Sequence, residues 1–259
     1  MKKKIYKKNF TNYTIIFLLF VIAINTSLLL YMERKRITDK LSKIFLNYSY
    51  KEEKKQKEYE LAKEILKGGY ILFIRHAERY KAEPYQAVQT YDAYELNNKI
   101  LAENSFFSQM VCLNKEGKMQ GKLIGEIFRD LDVPISKIIS SPSCRARQTA
   151  MLAFGKIDKI YNSLLHTGPF NENSTELIKN IKKIILSQDS DKKKNIIITG
   201  HNSVIKRGIF DKVYDENLVY WLEEGGFYVI KKVKNELVLI HKYKSLNNFT
   251  KALYKRPKD

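Results

Sequence analysis

The sequence predicts an α/β protein: a three-layer α/β/α domain around a mostly parallel central sheet, preceded by an N-terminal transmembrane helix. Three observations carry this expectation. Short apolar runs alternate with amphipathic segments between residues 70 and 199, the pattern of strands joined by crossover helices. Two further strand-like runs near the C-terminus are separated by only Lys234-Asn235, as in a hairpin. Finally, residues 13–32 carry no charge and lie between basic flanks.

The elements follow in order. Residues 1–12 form a basic flank with lysines at 2, 3, 4, 7 and 8. The uncharged run 13–32 is as long as a helix crossing a bilayer core needs, with Tyr13 and Tyr31 at the interfacial positions. A cleaved signal peptide is the competing reading. The run exceeds the usual signal-peptide core and no small-x-small cleavage site follows, so the residues favour an uncleaved anchor. Arg34, Lys35 and Arg36 make the second flank basic too. The lysines nearest the start favour an inside N-terminus and an outside domain. Residues 33–67 are rich in Lys and Glu and contain neither Pro nor Gly, which predicts a charged helical spacer.

Gly68-Gly69 ends that helix and opens a domain over 68–245. Strands are expected at 70–74, 137–140 and 195–199, with a further one at 156–161. Helices are expected at 115–131, 145–154, 174–187 and through 205–210. The hairpin strands are 227–233 and 236–243, and residues 246–259 read as a basic tail. Residues 80–112 are an insertion with Tyr80, Tyr85, Tyr91, Tyr94, Phe106 and Phe107. It is either a lid over a pocket or a packed accessory segment.

Lys and Arg number 47 against 28 Asp and Glu, a net charge of +19 that favours anionic partners. Diffuse lysine alongside abundant Ile, Asn and Tyr also fits a plain compositional bias. No nucleic-acid recognition module accompanies the charge, so nucleic acid is not an expected partner. Cys112 and Cys144 stand in no metal-ligand spacing, and both a disulfide and two free thiols remain open. No metal and no cofactor are implied.

In open α/β sheets, ligands bind at the carboxyl ends of the strands. After the first strand come Arg75, His76, Ala77 and Glu78; after the second, Ser140-Ser141-Pro142 and then Arg145; after the third, Gly200 and His201. Two arginines and two histidines therefore meet at one sheet edge. Arginine offers a fork of donors matched to phosphate oxygens and stays charged. A neutral imidazole is a nucleophile toward phosphorus, and a second histidine can stabilise charge on the transferred group. Singly, each is as well explained by an ordinary structural role; together they predict phosphoryl chemistry.

These residues also carry a resemblance. Ile74-Arg75-His76-Ala77-Glu78, Leu113 to Gly121, Ser140-Ser141 through Arg145-Ala146-Arg147-Gln148-Thr149-Ala150, and Ile197 to Asn202 resemble, in order and spacing, four segments of the histidine phosphatase superfamily, which includes the cofactor-dependent phosphoglycerate mutases. The resemblance covers roughly residues 69–243. It implies that His76 is the nucleophile and that Arg75, Arg145 and His201 complete a phosphate pocket without a metal. The Arg-His-Ala-Glu form is similar to a subgroup with bacterial phosphatases of lipopolysaccharide core heptose phosphate. That implies an exoplasmic, envelope-related substrate, a phosphorylated small molecule or envelope glycan; with the uncharged run 13–32 and its flanks, the expected place is a bacterial inner membrane, single-pass, with the domain periplasmic or exoplasmic.

The chain departs from the pattern at the general acid. Where many relatives place glutamate in Leu-x-Glu, this sequence has Leu164-Leu165-His166. His166, Glu172 and Glu78 are the candidates for that role, with His166 equally readable as a plain loop residue. The expected function is a membrane-anchored phosphomonoesterase working through phospho-histidine. Its rivals are a catalytically weak phosphate sensor of the same fold, a mutase-like phosphotransferase, and a basic membrane or nucleic-acid adaptor.

Overall fold

The computed structural model describes residues 2–80, 111–165, 174–188, 191–219 and 221–254. They fall into two compact units, residues 1–57 and 58–259. The first is helical throughout, formed by helix α1 (Lys2–Lys67) up to residue 57. Between Phe17 and Met32 its large apolar side chains are exposed, and the helix is long and apolar enough to cross a membrane. Toward its end, lysines pair with glutamates one turn away: Lys55 with Glu52 and Lys57 with Glu53. Exposed pairs of this spacing support a helix modestly.

The second unit is built on a seven-stranded sheet in the order β3-β2-β4-β1-β6-β7-β5. In chain order its elements are β1 (Ile71–Arg75), α2 (Lys115–Asp130), β2 (Ile135–Ser140), α3 (Cys144–Phe154), β3 (Lys159–Ile160), α4 (Ser174–Leu186), β4 (Asn195–Gly200), β5 (Lys212–Val213), β6 (Phe227–Val233), β7 (Glu236–Tyr243) and α5 (Leu246–Tyr254). Strand β4 is parallel to β1 and β2, and β2 to β3; β6 is antiparallel to both β1 and β7. The sheet is thus mixed, with a parallel half closed by the C-terminal hairpin.

Strand β1 shows why apolar runs without alternation belong in the centre. Ile71 and Phe73 point into one core with Leu177, Ile181 and Ile185 of α4. Leu72 and Ile74 point into the other with Ile124 and Phe128 of α2. Both faces are covered, so residues 71–74 are all apolar. Helix α2 comes close to its neighbours through two glycines. A Cβ at Gly117 would stand 1.8 Å from the Glu78 carbonyl oxygen, and one at Gly125 would stand 2.1 Å from that of Ala153.

Four expectations are corrected. The predicted helix through 205–210 is a pair of 3₁₀ turns, Asn202–Val204 and Arg207–Ile209, with Ile205 and Phe210 extended between and after them. Val204, Ile205, Ile209 and Phe210 are all buried, so their spacing mimicked a helix although the core surrounds the segment. The strand expected over 156–161 shrinks to Lys159–Ile160, because Asp158 turns to accept from the Ile138 amide at 2.8 Å. The stretch read as a tail contains α5, whose Leu246 and Phe249 are buried beside Tyr243. The end of the spacer belongs to the compact unit. Ala62 and Ile65 are fully buried, the Glu58 carbonyl accepts from the Tyr243 hydroxyl, and Asn195 bridges the Ile65 carbonyl and the Tyr70 amide.

Candidate active site

The site forms where β1 and β4 end. Their parallel register pairs Arg75 with Gly200, and the His76 amide donates to the Gly200 carbonyl at 2.9 Å. His76 and His201 therefore leave the sheet side by side, with ring centroids 5.2 Å apart. Both are buried, as is Arg145 in the first turn of α3.

Each side chain is held by identifiable bonds. The His76 Nδ1 lies 2.8 Å from the Ala77 carbonyl oxygen. A carbonyl only accepts, so Nδ1 carries the proton and Nε2 keeps its lone pair. Burial holds His76 well below the ordinary imidazole value of 6.5; the Arg145 guanidinium, and more weakly Arg75 and Arg79, act in the same direction, while the bond to Ala77 opposes them. The Arg145 Nη2 lies 3.2 Å from His201 Nδ1. Guanidinium only donates, so the His201 proton sits on Nε2, facing the hydroxyls of Ser141 at 3.2 Å and Ser143 at 3.1 Å. Arg145 also donates to the Val111 carbonyl at 3.3 Å. Arg75 donates to the Leu222 carbonyl and, at 3.3 Å, to Glu224, with its guanidinium 5.0 Å from the centre of the Trp221 ring.

A further layer fixes the loop after β1. The Thr149 hydroxyl donates to the Arg145 carbonyl and accepts from the Ala77 amide, tying α3 to the residue after the nucleophile candidate. The Gln120 side chain accepts from the Glu78 amide and donates to the Glu224 carbonyl. Gln148 accepts from the Leu113 amide. These residues sit inside the motifs that pointed to the site, yet their roles were not read from sequence. Ser141 and Ser143 were likewise missed as partners of His201. The small polar cluster around Pro142 was the available signal, since Ser143 also caps α3 by accepting from the Ala146 amide.

Arg75, His76, Arg145 and His201 line one cleft of about 560 Å³. Glu78 is not in that lining; its carboxylate accepts from the Asn114 amide group at 3.2 Å. His166, Glu172 and most of the 80–112 insertion lie outside the described residues. Cys112 and Cys144 are joined by a disulfide with a Cα–Cα distance of 5.0 Å. No group of three or more His, Cys, Asp or Glu residues suited to a metal occurs among the described residues.

Neither a family model nor a curated protein matches this sequence. Among solved structures, the chain is similar to the protein histidine phosphatase SixA complexed with tungstate. The two are 10% identical with a TM-score of 0.44, over 67% of this chain and 95% of that one. It is also similar to a phosphoserine phosphatase of Entamoeba histolytica in complex with 3-phosphoglyceric acid, at 14% identity and a TM-score of 0.44, over 70% of this chain and 98% of that one. Likeness at this level does not specify chemistry; the site itself must.

The bonding pattern predicts a neutral, Nδ1-protonated His76 that persists as pH falls through 6.5, since a depressed value delays protonation to more acidic pH. Long-range ¹⁵N–¹H correlation spectra check this. An Nε2-protonated ring, or a His76 titration at or above 6.5, would contradict it.

Proposed function

We propose that this chain is a membrane-anchored phosphomonoesterase that works through a phospho-His76 intermediate. The observation that carries the reading is the His76 tautomer: with Nδ1 committed to the Ala77 carbonyl, the lone pair is on Nε2 of a ring lining the same cleft as Arg75, Arg145 and His201. Burial and the surrounding guanidinium groups keep that ring neutral and hence nucleophilic.

The chemistry follows from the donors. A phosphoryl dianion is held by the Arg75 and Arg145 guanidinium groups, which also offset charge on its equatorial oxygens in the transition state. His76 Nε2 forms the N–P bond as the P–O bond to the alcohol breaks. The departing oxygen takes a proton, with His166 and Glu172 as candidate donors; Glu78, outside the cleft lining, is the less suited third. Water then attacks phosphorus, releasing phosphate and restoring the neutral ring. His201, held between Arg145 and the two serine hydroxyls, adds a positioned imidazole beside the transferred group.

The exposed apolar stretch of α1 supports a single-pass anchor in a bacterial inner membrane. The Cys112–Cys144 disulfide supports an exoplasmic domain, because such bonds persist in oxidising compartments and are rare in the cytosol. An envelope glycan phosphate or a phosphorylated small molecule in that compartment is the proposed substrate.

The full-length protein is expected to hydrolyse aryl phosphates. His76→Ala should lower kcat at least about a thousandfold and Arg145→Gln about a hundredfold. Phosphate binding without turnover in wild type would favour a sensor, and unchanged hydrolysis in His76→Ala would sink the proposed mechanism. Orientation is tested in intact cells with a membrane-impermeant thiol reagent. Labelling of Cys112 and Cys144 only after external reduction is expected; labelling only after cell lysis would place the domain inside.

A further inference from the structure

The Arg145 guanidinium meets two acceptors of different kinds. Its Nη2 lies 3.2 Å from His201 Nδ1, and its Nη1 donates to the Val111 carbonyl at 3.3 Å. His201 directly follows β4 and inherits the order of the sheet. Val111 lies in a turn ahead of α2, outside every helix and strand of the described residues. The aim of the guanidinium therefore depends on what fixes that turn.

Hydrogen bonds fix its far end. The Leu113 amide donates to Gln148 at 2.8 Å, Leu113 pairs with Arg79, and the Asn114 amide donates to the Glu78 carbonyl at 3.2 Å. Next to Val111 stands the Cys112–Cys144 disulfide. Cys112 follows the residue whose carbonyl accepts, and Cys144 precedes the residue whose guanidinium donates. These four residues close a small ring, with a covalent bond on one side and the Arg145–Val111 hydrogen bond on the other. Opening the covalent side lets the Val111 carbonyl move away from the guanidinium.

The crosslink lies apart from the two main cores. Val111, Cys112 and Cys144 form a buried cluster of their own. The elements between the two cysteines, α2 and β2, pack through Ile124, Phe128 and Ile138 into a different cluster. Reduction consumes two electrons and two protons: a thiolate of a dithiol attacks one sulfur, and its second thiol displaces the mixed disulfide. Cys112 and Cys144 end as thiols and the reductant ends as a disulfide. No side chain leaves either main core in that step, so loss of the bond bears on the site more than on the fold.

We propose that the Cys112–Cys144 disulfide is a positioning crosslink for Arg145, so that anion affinity in the cleft depends on the bond being intact. The proposal rests on the phosphomonoesterase reading for the use of that anion site in turnover. A misdirected guanidinium holds a phosphoryl group less well in both the ground and transition states, where small displacements are costly. The same charge also helps to keep His76 neutral, second to burial. As the guanidinium withdraws, His76 holds its proton to higher pH, so the acid limb of kcat/KM moves toward neutral pH. An oxidising compartment, as proposed for the domain, keeps the bond closed.

The test uses the full-length protein in neutral detergent, oxidised and then reduced with dithiothreitol, with the thiols counted by alkylation. Kd for inorganic phosphate, by calorimetry, and kcat/KM for phenyl phosphate are measured in both states. Reduction is expected to raise Kd and lower kcat/KM about tenfold each, and to move the acid limb toward neutral pH. Reoxidation should restore all three. Cys112→Ala/Cys144→Ala should match reduced wild type and give no response to dithiothreitol. In Arg145→Gln, reduction should change either value by less than about twofold, because the crosslink acts through the guanidinium. Equal values in oxidised and reduced wild type, or the same loss in Arg145→Gln, would overturn the positioning role. So would loss of a cooperative thermal melt on reduction, which would make the bond a staple of the fold. No hydrolysis in either state, with a Kd that still rises on reduction, would sink the phosphatase reading and leave the crosslink's role standing. No phosphate binding in either state would overturn both.

Discussion

Strand β1 runs between β4 and β6, and its parallel register against β4 sets Arg75 opposite Gly200. The bond from the His76 amide to the Gly200 carbonyl extends that register one residue past the strand. This pairing sets His76 and His201 side by side. Side chains alternate along a strand, so a slip of one residue would send His76 to the opposite face and exchange Ile71 and Phe73 with Leu72 and Ile74 between the two cores. The apolar character of β1 thus fixes the site by making any other register costly. From the far side, β6 supports the same geometry, since the Arg75 amide donates to the Gly226 carbonyl.

Burial then defines the chemistry. Arg145 is a buried charge, and such charges persist only when hydrogen-bonded. Val111 and His201 supply acceptors, and the His201 tautomer follows from that demand, with the Ser141 and Ser143 hydroxyls accepting from Nε2–H. The same dry, positive surroundings hold His76 neutral. One arrangement therefore combines a buried guanidinium with an unprotonated imidazole beside it. The Cys112–Cys144 disulfide brackets this cluster, because Cys112 follows Val111 and Cys144 precedes Arg145.

Much of this was legible in the sequence. Apolar runs of five or six residues bounded by glycine or charge marked β1 and β4, and the rule that ligands gather at strand ends led to Arg75, His76, Arg145 and His201. The misses have physical causes. Segment 205–210 carries helix-like apolar spacing because the core surrounds it, not because one face is buried. Helix α5 was obscured by the basic residues on either side of it, although Leu246, Phe249 and Leu253 hold a helical period. The buried Ala62 and Ile65 sit within a strongly charged stretch whose average character is that of a solvated helix. In the site, pairings far apart in sequence, such as Gln120 with Glu78 and Glu224, are products of the fold and leave no local pattern.

In the proposed mechanism His76 Nε2 takes the phosphoryl group. Rapid-quench mass spectrometry of the full-length protein mixed with a phosphomonoester reads this directly. A transient phosphoryl adduct is expected on His76, stable to base and labile to acid, that forms as the alcohol is released and decays with the appearance of phosphate. Alcohol release without any adduct, or an adduct on another residue, would contradict it.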